Sequence, residues 1–508
     1  MKHDVVIIGA GVNGLTTAAY LARAGRKVLV LEQRAMIGGL CSTEEFHPGF
    51  HANTCIDDTG WIPPSVMRDL GLSAFGTIAP VSMTIPGSGN GPIVITPDVR
   101  ATSESLKRYS SSDAAKWPEF CAFVARLCGF LEALYTVRAP AVESTAPSDL
   151  LTLLSLGNKL RALGKRGMID VIRTIPMSIA DVLDEWFENE TLKGALSTLG
   201  VLNVQHGPQS GGTALVFLHN HVGLPLGAIA GRRSAPGGVG ALPTALAAVV
   251  AQSGGEIRTS TEVARIRVQN DRVAGVTLAS GEEIGVHTVV SGADPRRTFT
   301  TLCDAGDFDP DFLHAVDCIR MRGPQVRVHL ALSQAPTCGE ITIAPTMSYV
   351  ERTYDAAKHG RVADHPWIRV SIPPADVSGK HVVSLQVQAA AYTLRDGWTG
   401  ATRAAIGANV VQMLEEHSPG LTQTVLHCEV VAPPDIESGF GATEGSLLHG
   451  ELTLDQFTFA RPVASASRYA SPMDGLWVCG SGTHPGAGTA GISGRLAARE
   501  ILSSKVRK

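Results

Sequence analysis

"DVVIIGAGVNGLTTAAYLARAGRKVLVLE", residues 4–32, is the stretch that decides the fold. Its first apolar run, residues 5–8, is followed at once by a glycine-rich turn, and then by a stretch that places Ala18 and Leu21 on one helical face. A second apolar run, residues 28–31, closes the stretch. The pattern predicts a strand, a turn, a helix and a second strand.

The turn has the spacing Gly-x-Gly-x-x-Gly. In this spacing the first glycine permits the tight turn, the second lets the backbone approach a pyrophosphate, and the third lets the helix pack closely on the strand. The helix would direct free N–H groups at the phosphates, and Glu32 would accept hydrogen bonds from ribose hydroxyls. Such a turn can be purely structural, but the flanking strands and the acidic end residue favour dinucleotide binding. The residues predicted to bind it are Gly9, Gly11, Val12, Asn13, Gly14 and Glu32.

The segment after the second run extends this fingerprint. It reads "QRAMIGGLCS", residues 33–42, and contains Gln33, Arg34, Gly38 and Gly39. The extension is typical of flavin enzymes that hold FAD against the chain at this point. A second Gly-x-Gly-x-x-Gly between a strand and a helix, as a separate NAD(P) domain would need, is not visible in the sequence. We therefore predict one bound FAD.

Two later segments are predicted to return to the same site. Residues 237–252 read as a glycine turn and a helix, and the runs 263–268 and 273–278 flank Asn270-Asp271, a hairpin signal, with a further strand at 288–290. In FAD folds of this type the strand that contains Val263 passes beside the adenine, so the backbone of Val263 is a predicted adenine contact. The alternative is that this is an ordinary sheet strand.

The second returning segment is "GLWVCGSGTHPGAGTAGISG", residues 475–494. It predicts a short strand at 476–478, a glycine turn, and a helix whose N-terminus would aim N–H groups at the flavin O2 and N1 edge. The FAD-binding domain would thus be assembled from three pieces of chain. The cofactor-binding residues predicted in this segment are Gly480, Gly488, Gly491 and Ile492.

Three stretches together resemble the phytoene desaturase family of FAD-dependent oxidoreductases: "GAGVNGLTTAAYLARAGRKVLVLEQRAMIGGLCST", "VVSGADP" and "GSGTHPGAGTAGISG". The segment "HGELTLDQFTFARP", residues 449–462, is similar to the branch named after pyridine nucleotide-disulphide oxidoreductase domain-containing protein 2. The resemblance implies an α/β fold, in which a discontinuous Rossmann-like FAD-binding domain is interleaved with a mixed β-sheet and helical substrate domain. The expected limits are 1–85, 216–300 and 436–508 for the FAD-binding domain, and 86–215 and 301–435 for the substrate domain.

The family also implies an apolar tunnel and the desaturation, saturation or double-bond isomerisation of a hydrophobic small molecule. In desaturation a hydride would pass from a C–H bond to flavin N5 and a proton would leave the neighbouring carbon, with the flavin reoxidised by oxygen or a quinone. Alternatives are an amine-oxidase-like flavin oxidase and a non-enzymatic binding protein similar to Rab GDP-dissociation inhibitors. The complete set of fingerprint glycines and Glu32 favours an enzyme.

Composition excludes other classes of protein. The chain has 508 residues, 44% hydrophobic, and a net charge of −4, which offers no basic field for nucleic acid. Its nine cysteines show no metal-site spacing, so no metal is expected and reduced thiols of a cytoplasmic protein are the interpretation. No run of about 18 apolar residues predicts a spanning helix, which leaves peripheral membrane contact. Oligomeric state is not predicted.

Residues 101–200 are expected to be helical. The part from 148 to 187 combines apolar faces with basic side chains, and it reads either as a lid on an anionic membrane surface or as the solvated basic face of an ordinary helical cap. The basic residues are Lys159, Arg161, Lys165, Arg166 and Arg173.

Candidate acid–base groups are few. His449 lies just upstream of the C-terminal glycine turn, and His484 lies inside it. The alternative for His484 is a turn residue that is hydrogen-bonded to the backbone. Asp58, in the pair Asp57-Asp58, follows the second strand by a distance that could place it by the flavin ring, but such pairs are also common turn formers. His219 and His221 would point to one face of a strand, where a metal is conceivable but lacks a third ligand. The predicted catalytic residues are His449, His484 and Asp58.

Overall fold

The computed structural model describes residues 2–75, 77–78, 83–87, 89–139, 146–234, 237–372, 380–388 and 390–504. The strands are β1 (Val5–Ile8), β2 (Val28–Leu31), β3 (Thr43–His47), β4 (Phe50–Asn53), β5 (Thr77–Ile78), β6 (Met83–Ile85), β7 (Ile93–Ile95), β8 (Arg233–Ser234), β9 (Glu256–Arg258), β10 (Val263–Gln269), β11 (Arg272–Leu278), β12 (Glu283–Gly285), β13 (Val289–Ser291), β14 (Gln325–Leu332), β15 (Thr342–Ile343), β16 (Trp367–Ser371), β17 (His381–Gln388), β18 (Val425–Val431) and β19 (Leu476–Val478). The helices are α1 (Val12–Arg23), α2 (Pro64–Leu70), α3 (Val99–Lys107), α4 (Ser111–Tyr135), α5 (Pro147–Ala162), α6 (Gly164–Thr174), α7 (Ile179–Trp186), α8 (Glu190–Ser197), α9 (Thr213–His221), α10 (Ala241–Gln252), α11 (Pro310–Asp317), α12 (Met347–Lys358), α13 (Gly400–Glu415), α14 (Leu421–Thr424), α15 (Pro433–Phe440) and α16 (Ile492–Ser503).

A five-stranded parallel sheet forms the centre of the cofactor half. Its strand order is β19-β13-β1-β2-β9, and every neighbouring pair is parallel. Three separate pieces of chain therefore supply one sheet, as the sequence predicted. The expected strand 288–290 is found one residue later, at Val289–Ser291.

The sheet is covered on both faces, which is why its strands are uninterrupted apolar runs. In β1, Val5 and Ile7 pack among the buried residues of α1, α10 and α16. Val6 and Ile8 point the other way and pack with β10, β11 and residues around Phe299. The alternation of side chains along a strand thus produces a three-layer domain.

The second sheet belongs to the substrate half and has the order β15-β16-β17-β14-β18, with every neighbouring pair antiparallel. One of its faces is apolar: Val326, Val328 and Leu330 of β14 pack with Ile406 and Val410 of α13. The other face carries the alternate residues of the same strands, which are mostly polar. That polar face is turned toward the cofactor half.

The predicted helical region is confirmed by α3 to α8, which lie within or close to residues 101–200. Two of the expected domain limits fall inside helices: 215–216 lies within α9 and 435–436 within α15. Helix α9 packs against α4 and α7 of the helical layer. The limits themselves stay predictions.

Among the described residues, no helix is long and apolar enough to cross a membrane. All nine cysteines lie in the described part of the chain, and none forms a disulfide. Exposed apolar side chains are concentrated on α5 and α6. They are Leu150, Leu151, Leu153, Leu154, Ile169 and Ile172.

Candidate active site

A continuous cavity lies between the carboxyl edge of the parallel sheet and the polar face of the second sheet. The segments that follow β1, β2, β13 and β19 all contribute to its wall, through residues such as Gly9, Glu32, Gly292 and Gly480. The carboxyl edge is where open parallel sheets bind their ligands, because the loops there connect strands to helices on either face. The sequence-predicted cofactor residues that line the cavity are Gly9, Gly11, Val12, Asn13, Gly14, Glu32, Gln33, Arg34, Gly38, Gly39, Val263, Gly480 and Gly488.

The three fingerprint glycines have different surroundings. Gly9 has φ +91°, a conformation that L side chains rarely adopt. A Cβ added at Gly14 would lie 2.2 Å from the carbonyl oxygen of Gly9, so the helix can approach the strand only without one. At Gly11 the backbone is extended, with φ −73° and ψ 171°, and an added Cβ would meet nothing within 4 Å. The space beside Gly11 is therefore open to a ligand.

Glu32 is buried and has no cationic partner among the described residues. Its carboxylate accepts hydrogen bonds from the backbone N–H of Ala10, at 2.7 Å, and of Arg34, at 2.9 Å. A carboxylate has further acceptor capacity beyond two such bonds, which suits ribose hydroxyl groups. Both Gly11 and Glu32 therefore fit the dinucleotide part of FAD.

At the far end of the cavity, side chains from distant segments converge around Val263. The Arg34 guanidinium lies over the ring of Phe440, 4.2 Å from its centroid, and forms an ion pair with Glu44. Phe440 was missed by sequence reasoning, because it lies in α15, more than 400 positions from Arg34. Its place on the cavity wall makes this end suitable for a flat aromatic group such as adenine.

The C-terminal glycine turn is tied to the first one through Asn13. The side chain of Asn13 accepts a hydrogen bond from Gly491 N–H at 3.2 Å, and its amide nitrogen donates to Ser481 Oγ at 3.4 Å. Gly491 and Ile492 do not themselves line the cavity, since Gly491 caps α16 with φ +76° and Ile492 is buried behind the turn. Their predicted contact with the cofactor stays a prediction.

His449 lines the cavity on a strained segment. It has φ +54°, which is uncommon for a residue other than glycine. Its Nδ1 atom is buried without a hydrogen-bond partner among the described residues. Burial lowers the pKa of His449; Asp294 opposes this effect and Arg461 reinforces it. The ring is therefore neutral near pH 7 and has an unused nitrogen.

Arg461 holds the segment around His449 against the C-terminal turn. Its guanidinium is buried and donates to the carbonyl oxygens of Leu448, at 2.7 Å, Gly450, at 3.1 Å, and Ser481, at 2.9 Å. Burial lowers the pKa of Arg461 to about 10, so it remains charged near neutrality. Arg461 is thus a positioning residue that the sequence did not reveal.

The other two predicted catalytic residues have structural contacts. Asp58 lines the cavity, but its carboxylate accepts from the N–H groups of Gly60, at 2.7 Å, and Arg233, at 3.2 Å, as a turn former does. His484 is outside the cavity wall: it is fully buried, with Nε2 3.1 Å from the carbonyl oxygen of Val137. Burial lowers the pKa of His484 to about 4. Asp58 therefore has the contacts of a turn former, and His484 those of a turn residue hydrogen-bonded to the backbone.

The pair His219 and His221 lies on helix α9, so the expectation of a strand was wrong. Their ring nitrogens are already bonded: those of His219 to Tyr135 Oη at 2.8 Å and the Ala487 carbonyl at 2.6 Å, and those of His221 to the Phe217 carbonyl and to Ala230 N–H. Among the described residues, no group of His, Cys, Asp or Glu could hold a metal ion.

Residues 13–416 match the family model of flavin containing amine oxidoreductases. The chain belongs to this family. Membership, together with the fit of Gly11 and Glu32, makes it an FAD-dependent oxidoreductase. Among curated members, pyridine nucleotide-disulfide oxidoreductase domain-containing protein 2 of Rattus norvegicus is 31% identical over 99% of this chain and 93% of its own length.

Two further relatives of this family are more distant. A subunit of limonene dehydrogenase from Castellaniella defragrans is 26% identical over 95% of this chain and 91% of its own length. Phytoene desaturase (lycopene-forming) of Pantoea ananas is 24% identical over 96% of each chain. The likeness to carotenoid desaturases expected from the sequence is therefore confirmed.

Solved structures of two oxidoreductases share the fold. An oxidoreductase from Methanosarcina mazei superposes with a TM-score of 0.58 at 17% identity, covering 99% of this chain and 100% of its own. Cyclohexylamine oxidase from Brevibacterium oxydans superposes with a TM-score of 0.56 at 15% identity and covers 99% of both chains. These likenesses confirm the predicted α/β FAD-binding fold.

Proposed function

We propose that this FAD-dependent oxidoreductase desaturates an alkyl-bearing small molecule. The observation that supports this most is the apolar wall beside the C-terminal glycine turn. Leu202, Val216, Leu448 and Leu452 line the cavity there and belong to one hydrophobic cluster. An apolar wall of this kind holds a hydrocarbon next to the flavin and keeps water away from it.

An amine substrate suits this cavity less well. Phe440 is the only Phe, Tyr or Trp side chain on the described cavity wall, and it lies at the adenine end, so no aromatic pair is available to enclose an ammonium group. Arg369 lines the substrate side without an ion-pair partner among the described residues, and its charge would repel a cation. The names of the limonene dehydrogenase and phytoene desaturase relatives support dehydrogenation of a carbon chain.

When bound, FAD supplies the hydride acceptor at its N5 atom. The chain's part is to place one C–H bond of the substrate toward that atom and to remove a proton from the adjacent carbon, which leaves a carbon–carbon double bond. His449 is our candidate for taking the proton, because it is neutral, lines the cavity and has no hydrogen-bond partner among the described residues. A substrate that forms a stabilised cation could instead release its proton to water.

Peripheral membrane contact is part of the proposal. The exposed leucines and isoleucines of α5 and α6 lie beside Lys159, Arg161, Lys165 and Arg166, which are exposed and have no ion-pair partner among the described residues. This combination suits an anionic lipid surface better than a purely solvated face, because exposed leucine side chains are stabilised by contact with lipid and not by contact with water. A membrane would supply an apolar substrate, and either oxygen or a membrane quinone would reoxidise the flavin.

The test is the visible absorption spectrum of the purified holoprotein during anaerobic addition of candidate substrates. The set contains a terpene or polyene, an unsaturated or saturated alkyl chain, and a primary amine. Bleaching of the flavin by a hydrocarbon, with a new double bond in the product, is the expected result. Bleaching by the amine alone would make the chain an amine oxidase. Conversion that requires prior reduction of the flavin and consumes no acceptor would make it an isomerase.

A further inference from the structure

The substrate side of the cavity has a polar wall opposite the apolar one. It is built from one row across the second sheet: Arg369 of β16 faces Gln386 of β17, and Gln386 faces Arg327 of β14. All three side chains line the cavity. Strand register therefore brings together residues that are up to 59 positions apart, from 327 to 386.

Nearly every arginine on this cavity has a carboxylate partner. Arg327 forms a two-point ion pair with Asp57, at 2.6 and 2.7 Å. The other pairs are Arg34 with Glu44, Arg232 with Glu340, Arg233 with Asp58 at 3.7 Å, and Arg297 with Glu262 at 3.7 Å. These pairs leave little charge for a ligand, because each guanidinium is neutralised by a neighbour.

Arg369 is the exception. Among the described residues it has no ion-pair partner, and its one hydrogen bond is a long one, 3.5 Å from Nη2 to the carbonyl oxygen of Ala230. Asp57 and Asp58 attract its charge electrostatically, but from beyond ion-pair distance. A half-buried guanidinium without a carboxylate is costly unless something else supplies the negative charge.

The apolar and polar walls meet on β16. Trp367 lies two residues before Arg369, on the same face of the strand. Trp367 packs in the hydrophobic cluster that also contains Val216 and Leu452, and the latter two line the cavity. An apolar surface thus leads directly to an uncompensated positive charge.

We propose that the substrate is an amphipathic carboxylic acid, whose carboxylate binds Arg369 while its hydrocarbon part lies against Leu202, Val216 and Leu452. This inference rests on the proposed function, and it names the substrate class of the same site. A single excess guanidinium matches a monoanion, and its planar fork matches the two oxygens of a carboxylate. Asn203 lines the cavity nearby; its Oδ1 accepts from Gln386 at 3.3 Å, and its Nδ2 donor is available for the same carboxylate.

The experiment is calorimetric titration of the oxidised FAD-bound protein with octanoate, 1-octanol, octylammonium and octyl phosphate. Because no turnover is needed, binding reports on Arg369 independently of flavin reduction. We expect octanoate to bind more tightly than the other three ligands. The proposal would be overturned if octanol or octylammonium bound as tightly as octanoate, or if octanoate did not bind. Tighter binding of octyl phosphate than of octanoate would also overturn it, and would indicate that the anionic group of the substrate is a phosphate.

Variants of Arg369 test whether octanoate binds to this side chain. Arg369→Gln should weaken octanoate binding about 10- to 100-fold, as expected for the loss of a hydrogen bond to a charged group, and leave octanol binding unchanged. Arg369→Lys, which keeps the charge, should recover part of the loss. Arg403→Gln is the matched control: Arg403 lies on α13, which packs against the opposite face of the same sheet, and it pairs with Asp435 of α15. Equal octanoate binding by wild type and Arg369→Gln would refute the role of Arg369.

The two proposals fail in different ways. Octanoate binding through Arg369, with a flavin that no C–H donor reduces, would support the carboxylate site and refute the desaturase. Flavin reduction by a neutral hydrocarbon, with octanoate binding unaffected by Arg369→Gln, would support the desaturase and refute the carboxylate site.

Discussion

Gly11 and Gly14 lie three residues apart in the first turn, yet a side chain at each would have a different effect. At Gly11 the extended backbone accepts any residue, and an added Cβ enters open space beside the expected pyrophosphate. Gly11→Val should therefore fold and lose FAD, seen as a colourless protein with an unchanged far-ultraviolet circular dichroism spectrum. Retention of full yellow colour would rule out a cofactor beside Gly11.

Gly14→Ala should instead damage the fold. Its Cβ would lie 2.2 Å from the Gly9 carbonyl oxygen, and a backbone atom cannot move aside as a flexible side chain can. We expect a loss of at least about 1–3 kcal/mol in the free energy of unfolding, measured by urea denaturation, from overpacking at this contact. An unchanged midpoint would mean that the helix and strand can separate here.

His449 provides the third prediction at the scale of a residue. His449→Asn keeps a residue type that tolerates φ near +54° and removes the imidazole. Flavin reduction by substrate should slow by about 10²- to 10⁴-fold, the usual effect of removing a general base, while FAD stays bound. Stopped-flow absorbance measures both quantities. Asp58→Asn is the comparison variant, because it keeps the acceptor for Gly60 N–H. A large loss of reduction rate in that variant alone would identify Asp58, and not His449, as the base that takes the proton.

The pH dependence should agree with this role. Burial lowers the pKa of His449 below its usual 6.5, so the ring stays neutral and able to accept a proton at more acid pH than an exposed histidine. The midpoint of the fall in reduction rate should therefore lie at a lower pH than the 6.5 of an exposed histidine.

At the scale of elements, α5 and α6 carry the membrane prediction. Leu151 and Leu154 are 66% and 63% exposed, so replacing both with glutamine should change stability by no more than about 0.5 kcal/mol per substitution. Wild type should sediment with vesicles containing phosphatidylglycerol and much less with phosphatidylcholine alone, and the double variant should lose this binding. Leu426→Gln, at an exposed site on β18, is the control. Equal sedimentation of all three proteins would leave α5 and α6 as an ordinary helical cap.

Elements of the cofactor half could be predicted because their sequence patterns are local. The runs around Val5 and Val28 are buried on both faces, and Asn270-Asp271 adopts positive φ at both positions, as a tight hairpin turn requires. The strand for His219 and His221 was wrong because α9, "TALVFLHNH", is buried almost all round and shows no 3.6-residue period. The polar wall was missed because it depends on register between distant strands, although the alternation in "QVRVHLAL" of β14 was a usable signal.

At the scale of the whole molecule, buried histidines should make the protein sensitive to acid. Burial lowers the pKa of His219, His221 and His484 to about 4 and that of His329 to about 3, against 6.5 for a free histidine. They lie in the helical layer, the second sheet and the C-terminal turn, so each part of the fold excludes a proton that the unfolded chain would bind.

The sign of the effect follows from proton binding. Between pH 6.5 and about 4 the unfolded state holds more protons on these residues, so the free energy of unfolding falls as pH falls, by about 1.4 kcal/mol per pH unit for each histidine. The four together give about 5.5 kcal/mol per unit, which is enough to exhaust the stability of an ordinary domain within two units. Urea midpoints of the holoprotein at pH 7, 6 and 5 measure the slope, and His484→Gln should reduce it by about a quarter because one of the four sites is gone. A stability that is constant from pH 7 to 5 would mean that these rings can gain a proton in the folded state, and hence that water reaches them.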